Sequence, residues 1–228
     1  MTKFLRILFI PLILLTTTYD VKAQDKENGN ENSNEASVSE KGHSYETFVN
    51  DIGNQIIGIL VDRNSPMEDR RERFRQILKS VFEIKSIGKF VMARYWRTMN
   101  DEQKAEFLKL FEDALVENYS AQFDNYNNEK LSVLSSHETK DGGKIVQSQI
   151  VRPKGGEPLS VDWKVFDTKN GMKIYDLIVN GVSLSITQRS LYASTIQNNN
   201  GSIDALLTSM RDKDFHKKLN NSTNVNNS

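Results

Sequence analysis

The hydrophobic period changes once along this chain. Between Tyr45 and Phe123 apolar residues recur every three or four positions, and from Leu131 to Val179 they alternate. Helices and strands segregated in this way predict an α+β fold, since a parallel sheet needs the two interleaved. The strand half is cut by turn signals at Asp141-Gly142-Gly143, Pro153–Pro158 and Asn170-Gly171. Strands are therefore expected over Leu131–Glu138, Lys144–Arg152, the run from Leu159 to Phe166, and Met172–Val179. Asn170-Gly171 predicts a type I′ hairpin turn. Consecutive hairpins give an antiparallel four-stranded meander whose one apolar face the helices must cover. Asn180-Gly181 ends the last strand, and a helix with mixed patterning follows over Ser185–Gln197. A strand handing over to a helix in this way is a natural border for a cavity between two layers.

In the first half, Phe48, Val49, Ile52, Ile56, Ile59 and Leu60 share one helical face of Tyr45–Arg63. Asn64-Ser65-Pro66 stops that helix and is expected to cap the next, Met67–Val81. There Phe74, Ile77, Leu78 and Val81 face inward, and the charged run Glu68 to Arg73, Arg70 included, reads as a solvated face. Glu83–Trp96 is more apolar and aromatic. Asn100 and Gln103 form a capping box for a helix over Asp101–Phe123. Ser202 is placed to cap a last helix over Ile203–Leu219.

The ends differ in composition from this body. Lys3 and Arg6, the apolar run Phe9–Leu15, and Val21-Lys22-Ala23 read as a cleaved signal peptide over residues 1–23. The apolar run is well short of the ~20 residues a spanning helix needs. Residues 24–42 and 220–228 are rich in Asn, Ser and charge and are expected to be a disordered linker and tail around a domain over residues 43–219. Lys plus Arg and Asp plus Glu each number 30, and residues 1–23 carry three of the cations and one acid, so cleavage leaves a net charge near −2. That balance speaks against a nucleic-acid partner. The absence of cysteine excludes disulfides, thiolate metal sites, a cysteine nucleophile and a lipoprotein anchor.

Motifs that carry chemistry are missing. His43, His137 and His216 lie far apart, and Gly181-Val182-Ser183-Leu184-Ser185 lacks the last glycine of a nucleophile elbow. No phosphate-binding glycine loop occurs. The remaining enzymatic reading is a cone-shaped α+β enzyme with Asp176, an acid inside an apolar strand, as base; no acid-base partner can be placed beside it. The alternative is a carboxylate paired with an Arg or lying at the sheet surface.

Two blocks carry a family resemblance. Ile87-Gly88-Lys89-Phe90-Val91-Met92-Ala93-Arg94-Tyr95-Trp96-Arg97 precedes Asp101-Glu102-Gln103-Lys104 and the helix from Phe107 to Tyr119. Ile174-Tyr175-Asp176-Leu177-Ile178-Val179-Asn180-Gly181-Val182-Ser183-Leu184 precedes Arg189 and Gly201-Ser202-Ile203-Asp204-Ala205-Leu206. In this order, from about Tyr45 to Met210, the chain resembles the MlaC (toluene-tolerance auxiliary) family of periplasmic phospholipid-binding proteins. Asn180 stands where the family usually has an acid, which puts any ion pair at that turn in question. The resemblance implies a sheet wrapped by helices around an apolar pocket for phospholipid acyl chains, with no cofactor besides the bound lipid. It implies a periplasmic shuttle between an outer-membrane lipoprotein complex and an inner-membrane ABC transporter bearing a mammalian-cell-entry-type subunit. The pocket wall it implies is Phe90, Val91, Tyr95, Phe107, Phe111, Tyr119, Val161, Trp163, Val165, Ile174, Ile178, Val182, Leu191, Tyr192 and Ile196. Periodicity on its own supports only the burial of these side chains.

Overall fold

The computed structural model describes residues 44–153 and 155–212. The predicted signal peptide, linker and tail lie outside the described residues. Ser44 opens the first helix, α1 (Tyr45–Val61), by accepting the Thr47 amide on its hydroxyl. Its buried face is Val49, Ile52 and Ile59 of the predicted stripe, together with Gly53. After α1 the chain turns on Asp62, whose carboxylate accepts the Ser65 hydroxyl at 2.7 Å and Arg73 at 2.6 Å. Ser65 is spent on this turn, so α2 (Met67–Val81) starts at Pro66 with no side-chain cap, contrary to the expected one.

Ser65, and then Arg73, hold the Asp62 carboxyl down to a pKa of about 2. A depressed folded pKa stabilises the fold above the unfolded value near 3.9, and that contribution is lost as pH falls toward 2. Asp62→Asn is therefore expected to flatten the pH dependence of the melting temperature between about pH 4 and pH 2. An unchanged acid limb would remove Asp62 from that balance.

Helix α2 departs from the sequence reading at Arg70, which is 3% exposed rather than solvated. Its guanidinium donates to the carbonyls of Ile59 and Leu60 in the last turn of α1, and to Asp124. Beyond the run, Arg75 also reaches the next layer, pairing with Glu112 and Asp113 at 2.7 and 2.9 Å.

The chain then passes through an extended Phe82 and through Glu83 before α3 (Ile84–Met92). A 3-10 turn over Ala93–Arg97 follows, so the apolar block Glu83–Trp96 is not one helix. Ala93 sits at the junction with φ 50° and ψ −121°, a region that favours glycine. Such strain costs on the order of 1–3 kcal/mol, against about 0.5–1 kcal/mol for the added freedom of glycine. Ala93→Gly is expected to stabilise the protein by about 1 kcal/mol in urea unfolding; a loss of stability would mean that the strain is absent.

Helix α4 (Asp101–Ser120) carries the predicted capping box, with both reciprocal hydrogen bonds formed between Asn100 and Gln103. It ends three residues before the predicted Phe123, which belongs to a separate 3-10 turn. The sheet has five strands rather than four: β1 (Lys130–Glu138), β2 (Lys144–Val151), β3 (Leu159–Thr168), β4 (Gly171–Val179) and β5 (Val182–Ser183), antiparallel in chain order. The type I′ turn lies at Asn180-Gly181, where both residues have positive φ (47° and 81°) and Val179 pairs with Val182. At the predicted site only Gly171 has positive φ (87°), because the Thr168 hydroxyl accepts the Asn170 amide and donates to the Gly171 carbonyl. Asn180 also accepts the Ser160 amide on Oδ1 and donates its own amide to the Ser160 carbonyl, clipping the turn to β3.

The free edge of β4 is covered twice over its length. Its last two residues, Ile178 and Val179, pair with β5, while Ile174 forms a parallel bridge with Phe82 and accepts the Glu83 amide at 3.0 Å. Lys173 adds a hydrogen bond to the Ser80 carbonyl. This blunts an edge open to unwanted strand pairing and carries the chain from α2 past the sheet. Helices α5 (Leu184–Asn198) and α6 (Ile203–Arg211) close the described fold, capped by Ser183 and Ser202. The last helix runs to Arg211, and residues 213–219 of the predicted one lie outside the described residues.

Candidate functional site

The inner face of the sheet, with Val146, Val161, Trp163, Val165 and Ile174, packs on Val49 and Ile52 of α1. A buried polar chain crosses it: the Trp163 indole donates to Ser148 Oγ, which donates to the Val161 carbonyl. A second cluster joins α3 to α6. In it Phe107 stacks on Phe111 with centroids 5.7 Å apart, and the Tyr192 ring meets both edge-on. The third holds Ile59, Phe74, Leu78, Val116 and Phe123 between α1, α2 and α4.

These clusters meet at a seam. Phe82 packs against all three, Ile56 and Ile77 against the first and third, and Leu115 against the second and third. Here all four keep part of their surface accessible, while fully buried side chains lie to either side. Leu177 on β4 and Tyr119 on α4 are half-buried in the same way. Burial pushes the Tyr119 phenol above its ordinary pKa, and the Asp176 carboxylate adds to the rise. Tyr119 thus faces β4 from the helical side. The seam is apolar along its length, which suits a hydrocarbon better than a polar substrate.

The structure distributes the expected wall residues unevenly. Val91, Phe107, Phe111, Tyr192 and Ile196, with half-buried Tyr95, belong to the helical cluster, and Val161, Trp163, Val165 and Ile174 to the sheet cluster. Tyr119 borders the seam through the third cluster. Ile178, Val182 and Leu191 are half-buried outside all three. Phe90, whose burial the periodicity predicts, is 42% exposed. The Arg189 guanidinium lies 5.3 Å from its ring centroid. Ile56, Ile77, Phe82, Leu115 and Leu177 were absent from that wall. The signal that could have found Phe82 is its position as an apolar residue between two helices.

Asp176 has a structural task. Its Oδ2 accepts the Ser183 hydroxyl at 2.5 Å and its Oδ1 the Ser185 amide at 3.0 Å, anchoring the start of α5 to β4. A helix N-terminus favours a carboxylate in this place. Among the described residues it forms no ion pair with an Arg, one of the pairings the sequence left open. Among the described residues no cluster of metal-ligating side chains occurs, and no helix is long and apolar enough to cross a membrane.

Two surface recesses stand out, and both are on the helical side. One of about 430 Å³ is lined by Arg75, Lys79, Ile84, Lys85, Leu108, Lys109, Glu112 and Asp113. The other, of about 570 Å³, is formed by α3, the 3-10 turn after it and Arg189 of α5.

An open antiparallel meander with helices layered over one face and past one edge defines an α+β class with an apolar seam between its layers. A solved structure of this fold is the phospholipid-binding protein from Ralstonia solanacearum in complex with a phospholipid, with a TM-score of 0.63 at 19% identity, covering 78% of this chain and 97% of the other. The family described as MlaC protein matches residues 50–212, and the chain belongs to that family. Relatives include the intermembrane phospholipid transport system binding protein MlaC of Haemophilus influenzae, 27% identical over 54% of this chain and 58% of the relative. Another is the toluene tolerance protein ttg2D of Pseudomonas putida, 25% identical over 58% of this chain and 62% of the relative. The chain thus spans about three fifths of the length of these curated relatives.

Proposed function

We propose that this protein is a periplasmic phospholipid carrier that holds acyl chains along the seam between sheet and helices. The observation that carries the reading is the accessible, apolar junction at Phe82, where three otherwise buried clusters meet. Family membership and the names of its relatives support the same ligand class. On this reading the lipid is handed between an outer-membrane lipoprotein complex and an inner-membrane ABC transporter with a mammalian-cell-entry-type subunit. The protein holds no cofactor besides the lipid and performs no catalysis.

The energetics fit that task. Two chains of about 16 carbons carry roughly 30 methylenes, so their transfer from bilayer to water costs on the order of 20 kcal/mol at ~0.8 kcal/mol per CH₂. A carrier must return most of this with a dry apolar lining. Parting the clusters exchanges side-chain contacts for lipid contacts, so little apolar surface meets water in either state. The headgroup needs few donors, and an unpaired charge along the seam would oppose entry.

The test is native mass analysis of protein purified without detergent, followed by solvent extraction. About one phospholipid per chain is expected. Protein that is lipid-free, and stays so after incubation with phospholipid vesicles, would overturn the proposal.

A further inference from the structure

The larger recess combines charge and apolar surface in a way the seam does not explain. Lys89, Arg94 and Arg97 line it with Arg189, and no acid is among its lining residues. Among the described residues none of these four forms an ion pair. In the neighbouring recess the cations are engaged, Arg75 with Glu112 and Asp113 and Lys109 with Asp113. Phe90 lines the recess with the four cations and is 42% exposed, and a second large apolar side chain, Ile186 on α5, is 57% exposed. Ile186 lies one turn before Arg189 on the same face of α5. Half-buried Trp96 forms part of the recess and meets the Phe107 ring edge-on at 6.4 Å, fixing the surface to the aromatic core.

We infer that this face docks the protein on an anionic phospholipid surface, with Phe90 and Ile186 entering the headgroup layer and Lys89, Arg94, Arg97 and Arg189 on lipid phosphates. Charge complementarity selects an anionic partner. The exposed aromatic and aliphatic tips among the cations favour a bilayer over an acidic peptide, because aromatic rings settle at the membrane–water boundary while Lys and Arg bind its phosphates. The recess is shallow and open, with no converging donor set to read a particular acidic sequence. This goes beyond the carrier reading, which requires only that lipid be held and passed to protein partners.

The test is flotation of the full chain with protein-free vesicles of phosphatidylethanolamine and phosphatidylglycerol, and with vesicles of phosphatidylcholine alone. Binding is expected on the anionic vesicles and to weaken at least ~10-fold from 0.05 to 0.5 M salt, as the screening length shortens. At a factor of about five per basic residue, the pair Arg94→Glu and Arg97→Glu should weaken it at least ~25-fold. Phe90→Ser should weaken it with the salt dependence preserved. Copurified lipid, measured on the same Arg94→Glu, Arg97→Glu protein, is expected to be unchanged, which separates docking from cargo binding. Equal binding to both vesicle types, or reversal variants that float like the wild type, would overturn the inference. So would failure to bind any protein-free vesicle, which would leave an acidic protein partner as the occupant.

Discussion

Leu115→Trp is expected to cut phospholipid affinity about 50-fold while leaving a cooperatively folding protein. Leu115 lies where the helical clusters meet and retains accessible surface, so an indole there grows into the seam rather than into packed side chains. If the added ring excludes about 3 methylenes of lipid, the loss at ~0.8 kcal/mol each is about 2.4 kcal/mol, or roughly 50-fold in affinity. Uptake of a fluorescent phospholipid measures it, with Val61→Trp as the surface control, since Val61 is 53% exposed. A solidly packed junction would behave differently: overpacking would cost about 1–3 kcal/mol of stability, with lipid uptake unaffected. The same logic excludes Val161 as the place to block. At 5% exposure within the sheet cluster it has no space to lose, and Val161→Trp would strain the core first.

The second large effect is on stability. Arg70→Met is expected to cost about 3–5 kcal/mol in urea unfolding. The side chain is buried, and its guanidinium donates to Ile59 and Leu60 carbonyls at 3.1 and 3.2 Å and to Asp124 at 2.9 Å, 5.3 Å from the Phe123 ring centroid. Those carbonyls belong to the last turn of α1 and have no helical amide to accept, so losing the guanidinium leaves one buried and one part-buried acceptor, at about 1–3 kcal/mol for the buried one. Arg70→Lys should recover only part of this, because one ammonium cannot reproduce the planar fork. A cost below about 1 kcal/mol would show that the carbonyls find water instead.

Arg70 also marks where sequence reading stops. Inside a run of alternating charges it looks solvated, yet Arg70, Phe74, Leu78 and Val81 follow the spacing of one helix face, and the structure buries all four. Periodicity located that face; the chemistry of the side chain hid a member of it. The two Asn-Gly pairs teach a related lesson. Asn170-Gly171 predicts a hairpin turn and Asn180-Gly181 only the end of a strand; both turns form, but Thr168 bonds to the backbone on either side of Asn170 and so selects a different geometry there. Asn180-Gly181 lacks such a competitor and closes the type I′ hairpin that adds β5. Helix caps at Ser183, Ser202 and Asn100 depend on near neighbours alone, and those at Asn100 and Ser202 were legible.

The site was less legible because alternation and helical spacing report burial, and burial is not the property that defines it. Phe107, Phe111 and Tyr192 are buried because they pack on one another. The seam residues are those that several elements share and none encloses. Phe82 belongs to no helix, and its role arises from the bridge to Ile174 more than ninety positions away. No local window contains that pairing.

The most direct measurement of the central claim uses a phospholipid with a photoreactive group near the end of an acyl chain, loaded into the detergent-free protein, irradiated and mapped by peptide mass analysis. Adducts are expected on Phe82, Leu115, Tyr119 and Leu177, the side chains that border the junction of sheet and helices. Adducts confined to Phe90 and Trp96 on the outer recess, or none on the seam at full lipid loading, would contradict the account.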